Sequence, residues 1–349
     1  IYNIFEEVDI YIPQKFKDKI SKKRRSQFYY YNFPLKELTA ELFREYQNII
    51  YIMSLGIVVR IIAPYLENKK VDPAVVTMDE TGKNVISTLS GHLGGANELT
   101  KDIADKMGIN PVITTATDCQ GKLAIDMLAK KLNCVIKPFN NLKKANGALV
   151  NDRQLNIFTD YKLNLNNQIE KNNNVNIYPL SSLKSKDNGF KVIISNKNIR
   201  DQAGHNQNID LKIDNYIQLI PQNIIAGIGC RKGISEKQIK EAVNQSLQKM
   251  NLCKESLKNL ATIDLKKDEK GLIQYAEKKS LKIDIIKREK IKKANLDINK
   301  SEFVEKAVGV PGVCEPAALL SSKSRKLIMT KTKYNQVTVA LVEEEINDE

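Results

Sequence analysis

The sequence of 349 residues contains no tryptophan and only two histidines, His92 and His205. It also lacks a basic stripe interleaved with aromatic residues, so the usual stacking platform for single-stranded nucleic acid is absent. Its five cysteines are odd in number, and no two of them form a CxxC pair. Neither a zinc knuckle nor a disulfide framework is therefore predicted, and we expect reduced thiols in a cytoplasmic protein.

Long hydrophobic runs are missing as well. The longest, IIYIMSLGIVVRIIAPYL, is interrupted by Arg60 and Pro64. It predicts a buried strand followed by a helix and not a membrane span. No signal peptide is visible. The sequence does not begin with Met, and we expect a natural N-terminus and a first strand to precede Ile1.

Charge is plentiful and unbalanced, with a formal net charge of +14. This excess favours an acidic partner, which could be nucleic acid, membrane headgroups or a polycarboxylate ligand. The lysines are scattered and arginine is scarce, so the same excess also fits a lysine-rich background in which lysine is the default solvated residue. Charge alone leaves these interpretations open.

The order of strand-like and helical patterns divides the chain into three regions. Residues 1–133 alternate between the two, which predicts an α/β domain with a mostly parallel sheet. Within it, MDETGKN between two β-like runs predicts a hairpin and one antiparallel strand. Residues 134–220 carry Asn runs and short β-like pieces without strong helical periodicity, and predict a small middle segment that is either a small domain or an elaborate linker. Residues 221–349 return to α/β alternation. The predicted fold class is two α/β domains with mostly parallel sheets plus antiparallel hairpins, joined by the middle segment.

The stretch LSGHLGGANELT, residues 89–100, is the strongest candidate for chemistry. Gly94 and Gly95 allow close backbone approach, and the free N–H groups of the helix that begins there, including that of Asn97, form an anion or oxyanion site. The imidazole of His92 can act as general base or general acid. Together these groups supply what ester or lactone hydrolysis requires. The alternative is structural: the glycines allow tight strand–helix packing and His92 caps a neighbour.

The predicted hairpin adds further residues to this candidate site. If the strand before His92 runs back from the hairpin, Ser90 and His92 lie at the same sheet edge as the end of PVITTATD. Thr114, Thr115 and Asp118 would then converge on the imidazole, with Asp118 or a threonine fixing its tautomer. TTATD also suits a helix N-cap. The same geometry places Asp79 and Glu80 about 20 Å away, where turn formation is their expected role.

Cationic residues suggest where a ligand with carboxylates would bind. Arg60 interrupts an apolar run, which is costly unless it is paired or faces a carboxylate. GIGCRKG, residues 227–233, fails the dinucleotide pattern because Lys232 stands where the third glycine belongs. Its basic, glycine-rich loop still suits carboxylates, whereas Cys230 and Cys314 fit buried hydrophobes. The candidate substrate-binding residues are Ser90, Thr114, Arg60, Gly229, Arg231, Lys232 and Glu315, although solvated charge is the default role for Glu315.

Several of these segments together resemble one family. LGIVVR (55–60), DPAVVTMDETG (72–82), LSGHLGGANELT and VITTATD (112–118) are similar to CbiG, the cobalt-precorrin-5A hydrolase family of anaerobic cobalamin biosynthesis. The C-terminal third supports the resemblance through GIGCRKG, ATIDLKKDEKGL, FVEKAVGVPGVCEPAALL and KLIMTKTKYNQVTVALV.

The resemblance implies a chain of three regions and a specific reaction. That reaction opens the δ-lactone of cobalt-precorrin-5A, with loss of a two-carbon unit as acetaldehyde, to give cobalt-precorrin-5B. The cobalt belongs to the substrate, so no cofactor and no protein-bound metal are expected. The expected partner is the tetrapyrrole, without nucleic acid or membrane, and a homodimer stays open.

The catalytic assignment to His92, Asp118 and Thr115 is a hypothesis drawn from the residues themselves. A competing class is a non-catalytic tetrapyrrole carrier, which would bind the substrate without releasing acetaldehyde. A third is a basic RNA-associated α/β protein, which predicts RNA binding that depends steeply on salt.

Overall fold

The chain folds as two compact units, Ile1–Lys122 and Leu123–Glu349, in the computed structural model. The helix Ile125–Lys131, which the sequence analysis placed in the N-terminal domain, packs against elements of the second unit. No helix in the described part of the chain is long and apolar enough to cross a membrane. The structure describes residues 4–5, 7–19, 27–69, 71–115, 123–163, 174–183, 189–199, 215–294, 296–298 and 301–346.

The first unit is built on a mixed sheet with helices packed against it. Its described strands are β1 Asp9–Pro13, β2 Gln27–Tyr31, β3 Asn48–Ile52, β4 Ala74–Met78, β5 Asn84–Leu89 and β6 Asn110–Val112. Its described helices are α1 Leu35–Glu45, α2 Leu55–Ile62 and α3 Ala96–Met107. The main sheet has the order β3-β4-β5-β6, and β1 pairs with β2 in a separate parallel pair. Every residue of β4 is buried, as expected for a strand covered on both faces.

The predicted hairpin joins β4 to β5. The two strands pair antiparallel, with Thr77 opposite Ile86. In the turn, Asp79 Oδ1 accepts a hydrogen bond from the Thr81 N–H at 2.8 Å, and Asp79 Oδ2 accepts one from the Asn84 N–H at 2.7 Å. Hydrogen bonds to the ionised carboxylate, the strongest from the Thr81 side chain, hold the pKa of Asp79 well below its ordinary value. The expected turn role of Asp79 is confirmed.

The hairpin reverses the direction of the second half of the sheet. Leu89, at the end of β5, lies opposite Val75 near the start of β4. Because β6 runs parallel to β5, both strands end at this same edge. The segments after them, which carry His92 and Thr115, therefore leave from one edge, as the sequence predicts.

The middle of the chain forms a sheet of its own within the second unit. Its described strands are β7 Cys134–Lys137, β8 Leu155–Thr159, β9 Val175–Pro179, β10 Phe190–Ile194 and β11 Tyr216–Pro221, and its helices are α4 Ile125–Lys131 and α5 Leu142–Val150. The strand order is β7-β11-β10-β8-β9, and only β7 pairs antiparallel within it. Strands β8, β10 and β11 are buried throughout. The middle segment is therefore a regular α/β sheet.

The C-terminal sheet has helices on both of its faces. Its described strands are β12 Ile224–Cys230, β13 Leu257–Ile263, β14 Lys282–Ile286, β15 Lys326–Tyr334 and β16 Val337–Glu343. Its described helices are α6 Glu236–Lys249, α7 Lys270–Lys278, α8 Arg288–Lys293, α9 Glu302–Val308 and α10 Cys314–Ser321. The strand order is β14-β13-β12-β16-β15, with β12, β13 and β14 parallel and β16 antiparallel to both its neighbours. The predicted α/β fold class is confirmed.

Two features hold helices α6 and α10 in place on this sheet. Ser235 and Gln238 form the predicted capping box at the start of α6. On β12, a Cβ at Gly227 would lie 1.9 Å from the carbonyl oxygen of Cys314, so only glycine allows α10 to pack this closely. Cys314 is buried, and desolvation raises its pKa to about 11, which agrees with a packing role.

Candidate functional site

A tight turn connects β5 to α3 at the edge where β5 and β6 end. Ser90 adopts a left-handed conformation with φ of 56°. The N–H of Ala96 donates to the Ser90 carbonyl at 3.2 Å, and the N–H of Asn97 donates to the Gly91 carbonyl at 2.9 Å. A Cβ at Gly94 would lie 2.4 Å from the Ser90 Cβ, so the turn closes only around glycine at this position.

The side chain of Asn97 joins the three segments that meet at this edge. It is 3% exposed. Its Oδ1 accepts a hydrogen bond from Ser87 Oγ on β5 at 2.6 Å, and its Nδ2 donates to Thr115 Oγ1 beyond β6 at 3.1 Å. Asn97 therefore holds Thr115 at the edge that carries His92. The sequence predicts anion binding for Asn97 but carries no distinguishing signal for Ser87, which lies on a half-buried strand.

The turn uses most of the amides that were expected to be unpaired. The N–H of Gly95 donates to the His92 carbonyl at 3.0 Å, and those of Ala96 and Asn97 are taken up as described above. The prediction that the Gly95 and Asn97 amides are free is therefore wrong, because both donate to carbonyl groups within the turn. The Gly94 N–H has no hydrogen-bond partner among the residues that the structure describes. Gly94 alone stays a candidate oxyanion donor.

The remaining residues predicted for this edge differ in accessibility. His92 and Thr115 are half-buried, and Thr114 is exposed. Ser90 is half-buried and its Oγ donates to the Asp72 carbonyl at 3.0 Å, which fits a structural role. Asp118, like His205, lies outside the described residues.

Arg60 is not buried, so the prediction that it needs a partner is wrong, and its contact with substrate stays a prediction. Helix α2 buries Val58 and Ile62, which are four residues apart and lie on one face. Arg60 falls between them in sequence, on the opposite side of the helix, where it is exposed. The apolar run is thus only half-buried, and its arginine is solvated.

The C-terminal candidates separate into exposed and buried groups. Arg231 and Lys232 are exposed directly after β12, while a Cβ at Gly229 would lie 2.5 Å from Thr338 Oγ1. Glu315 is 2% exposed, and its Oε1 accepts a hydrogen bond from the Lys331 N–H at 2.7 Å. The surroundings of Gly229 and Glu315 therefore fit packing of the sheet and not the predicted ligand contacts.

One residue that the sequence analysis missed organises the loop after β12. Glu269 Oε2 accepts a hydrogen bond from the Gly233 N–H at 3.0 Å, and its Oε1 lies 3.0 Å from Lys266 Nζ. Desolvation acts to raise the pKa of Glu269, but these bonds to its ionised form outweigh it and lower the pKa. No local pattern connects Glu269 with a glycine 36 residues away.

The described residues contain no group of three or more His, Cys, Asp or Glu side chains that could hold a metal ion.

Three α/β parts in sequence, with the glycine turn at one edge of the first sheet, define the class of protein. They match the family models Cobalamin synthesis G N-terminal over residues 37–118, Cobalamin biosynthesis central region over 123–221, and Cobalamin synthesis G C-terminus over 224–342. The chain is thus a protein of the cobalamin biosynthesis class.

Curated relatives define the family more closely. The chain is 31% identical to the cobalt-precorrin-5A hydrolase of Priestia megaterium, covering 97% of this chain and 89% of that protein. It is 33% identical to the cobalt-precorrin-5A hydrolase of Salmonella typhimurium, covering 92% and 88%. A solved cobalamin biosynthesis protein G homologue from Sulfolobus solfataricus is 22% identical over 97% of both chains, with a TM-score of 0.36. The chain belongs to the cobalt-precorrin-5A hydrolase family, CbiG.

Proposed function

We propose that this protein hydrolyses the δ-lactone of cobalt-precorrin-5A and releases acetaldehyde, giving cobalt-precorrin-5B in anaerobic cobalamin biosynthesis. Membership of the hydrolase family supports the substrate. The observation that carries the chemistry is the Ser90–Asn97 turn, which presents a half-buried His92 and the unpaired Gly94 N–H at one sheet edge. The cobalt enters as part of the substrate.

Lactone opening at this turn requires a base and an oxyanion donor. In the proposed mechanism His92 removes a proton from water, and the water oxygen attacks the lactone carbonyl carbon. The Gly94 N–H donates to the oxygen that gains negative charge. We assign Thr115, which accepts a hydrogen bond from Asn97, to binding the reacting carbonyl group, and Asp118 to fixing the imidazole tautomer.

Collapse of the tetrahedral intermediate breaks the lactone C–O bond, and the imidazolium of His92 returns its proton to the leaving oxygen. The hydroxyl group of this alcohol then loses its proton, the bond between its carbon and the macrocycle breaks, and that carbon leaves as acetaldehyde. The electron pair of the broken carbon–carbon bond stays on the macrocycle, which takes up a proton. One water molecule is thus consumed for each acetaldehyde released.

The test is acetaldehyde release from cobalt-precorrin-5A, followed through an alcohol dehydrogenase that consumes NADH. We expect His92→Gln to slow release by roughly 100-fold or more while substrate binding persists, because only the proton transfer is lost. The matched control is His205→Gln at the chain's other histidine, which should keep the wild-type rate. An unimpaired His92→Gln enzyme would refute the assignment of the base.

The carrier alternative predicts a different result for the wild-type protein. A carrier would bind cobalt-precorrin-5A stoichiometrically and release no acetaldehyde during repeated turnover. Stoichiometric binding without aldehyde would therefore reject the hydrolase proposal and support the carrier.

A further inference from the structure

The carboxyl ends of three neighbouring strands meet at one edge of the C-terminal sheet. Strands β12, β13 and β14 are parallel and adjacent, so they span about 10 Å at this edge. Arg231 and Lys232 follow β12, Lys267 lies in the turn after β13, and Lys287 follows β14 directly. All four side chains are exposed. We call these four residues the basic rim.

Two of the acidic groups in these turns, Glu269 and Asp264, are paired with other cations. Glu269 binds Lys266, and Asp264 Oδ1 lies 2.9 Å from the Nε of Arg288. Within the described part of the chain no member of the basic rim forms an ion pair at salt-bridge distance, although the charge of Lys232 also attracts Glu269. Two exposed acids, Asp268 and Glu289, lie beside the rim, which leaves a local excess of positive charge.

Internal hydrogen bonds hold the turns that carry the rim. Glu269 fixes the turn after β12 through the Gly233 N–H. Arg288 joins the turn after β13 to the Val308 carbonyl, which its Nη1 reaches at 3.2 Å. A surface held in place before binding loses less conformational entropy on binding. The rim therefore differs from scattered lysines on a helix.

The rim also has an apolar component. Leu265 lies in the same turn as Lys267 and is 48% exposed. We infer that the basic rim and Leu265 form a binding surface for an amphipathic polycarboxylate, whose carboxylates contact the cations while its ring contacts the leucine. That this polycarboxylate is the tetrapyrrole substrate rests on the proposed function. Single-stranded RNA would favour an aromatic stacking residue in the position of Leu265.

The test compares two triple variants with the same loss of charge in the full chain. The rim variant carries Arg231→Gln, Lys232→Gln and Lys267→Gln. The control carries Lys237→Gln, Lys240→Gln and Lys249→Gln, which are exposed positions on α6. The probe is uroporphyrin, a tetrapyrrole with eight carboxylates and no lactone, titrated by fluorescence at fixed ionic strength.

Loss of three exposed ion pairs should weaken uroporphyrin binding about tenfold in the rim variant and less than about twofold in the control. Equal weakening in both variants would mean that only overall charge matters and would overturn the inference. Unchanged binding in the rim variant would overturn it as well. So would a rim variant that loses binding to a short single-stranded RNA but keeps uroporphyrin.

The same experiment separates this inference from the proposed reaction. Uroporphyrin has no lactone, so its binding can be measured even if the wild-type protein releases no acetaldehyde. If instead the wild type releases acetaldehyde and the rim variant binds uroporphyrin normally, the reaction stands and the basic rim is rejected.

Discussion

Replacing Asn97 by alanine should loosen the edge of the first sheet at which the candidate site lies. The change removes two hydrogen bonds, the one from Ser87 Oγ and the one to Thr115 Oγ1, at a position that is 3% exposed. Each bond contributes about 1 kcal/mol, and a buried polar partner left unpaired adds a further penalty. We therefore expect the first unit to lose about 2–4 kcal/mol of stability.

The loss can be measured by urea unfolding followed by circular dichroism, and by hydrogen exchange of the α3 amides, which reports on this unit separately. Ser87→Ala removes only one of the two bonds and should cost about 1 kcal/mol. Asp105→Ala, at an exposed position on the same helix, should change stability by less than about 0.5 kcal/mol.

The expected order is thus Asn97→Ala, then Ser87→Ala, then Asp105→Ala. If Asn97→Ala and Asp105→Ala had the same free energy of unfolding, the proposed link between β5, α3 and Thr115 would be wrong. Acetaldehyde release should fall in the same order, because Thr115 is held at the edge only through Asn97 among the contacts described above.

Three further changes test other parts of the fold. Gly227→Ala places a methyl group against the Cys314 carbonyl and should lower the free energy of unfolding in urea by about 3 kcal/mol or more. The control Gly147→Ala, which has open space around it, should be neutral or stabilising. Equal effects of the two substitutions would contradict the packing argument. Asp79→Ala should lower the melting temperature, since the hairpin turn loses its acceptor, and an unchanged melting temperature would contradict this role. The folded-state pKa of Glu269 is below its ordinary value of 4.5. Ionised Glu269 therefore stabilises the folded protein above pH 4.5, and this contribution is lost as the pH falls through the folded-state pKa. The difference in unfolding free energy between wild type and Glu269→Gln should shrink below pH 4.5, and a difference that grew there would reverse the assignment.

Local signals account for the parts of the fold that the sequence predicts well. MDETGKN supplies turn residues between two β-like runs, and the hairpin follows from it. Ser235 with Gln238 marks the start of α6 in the same way. Once the hairpin is known, strand direction alone brings the segments after β5 and β6 to one edge.

Features that depend on distant partners could not be predicted. Nothing near Gly233 indicates that Glu269 binds its amide, and nothing near Lys331 indicates that Glu315 accepts its N–H. The prediction of a free amide at Gly95 failed because this N–H donates to the His92 carbonyl within the turn, and that hydrogen bond depends on backbone angles. The exposure of Arg60 does not follow from the hydrophobicity of the run, because it depends on which face of α2 the residue occupies.

The middle region shows a different limit. Its strands are short, and the segments between them are rich in Asn and Lys. The apolar signal is therefore brief in each strand, and only pairing in space makes β8, β10 and β11 a continuous buried layer.

Because of the hairpin between β4 and β5, the strands of the first sheet end at two opposite edges. Chain segments that leave β3 and β4 emerge on one side, and those that leave β5 and β6 emerge on the other. Loop insertions after β3 could therefore change length without displacing the histidine turn, whereas a single added residue between Leu89 and Ala96 would disrupt it. In this unit, insertions are therefore tolerated at the edge where β3 ends and disruptive at the edge where β5 ends, because the strand direction reverses once between them.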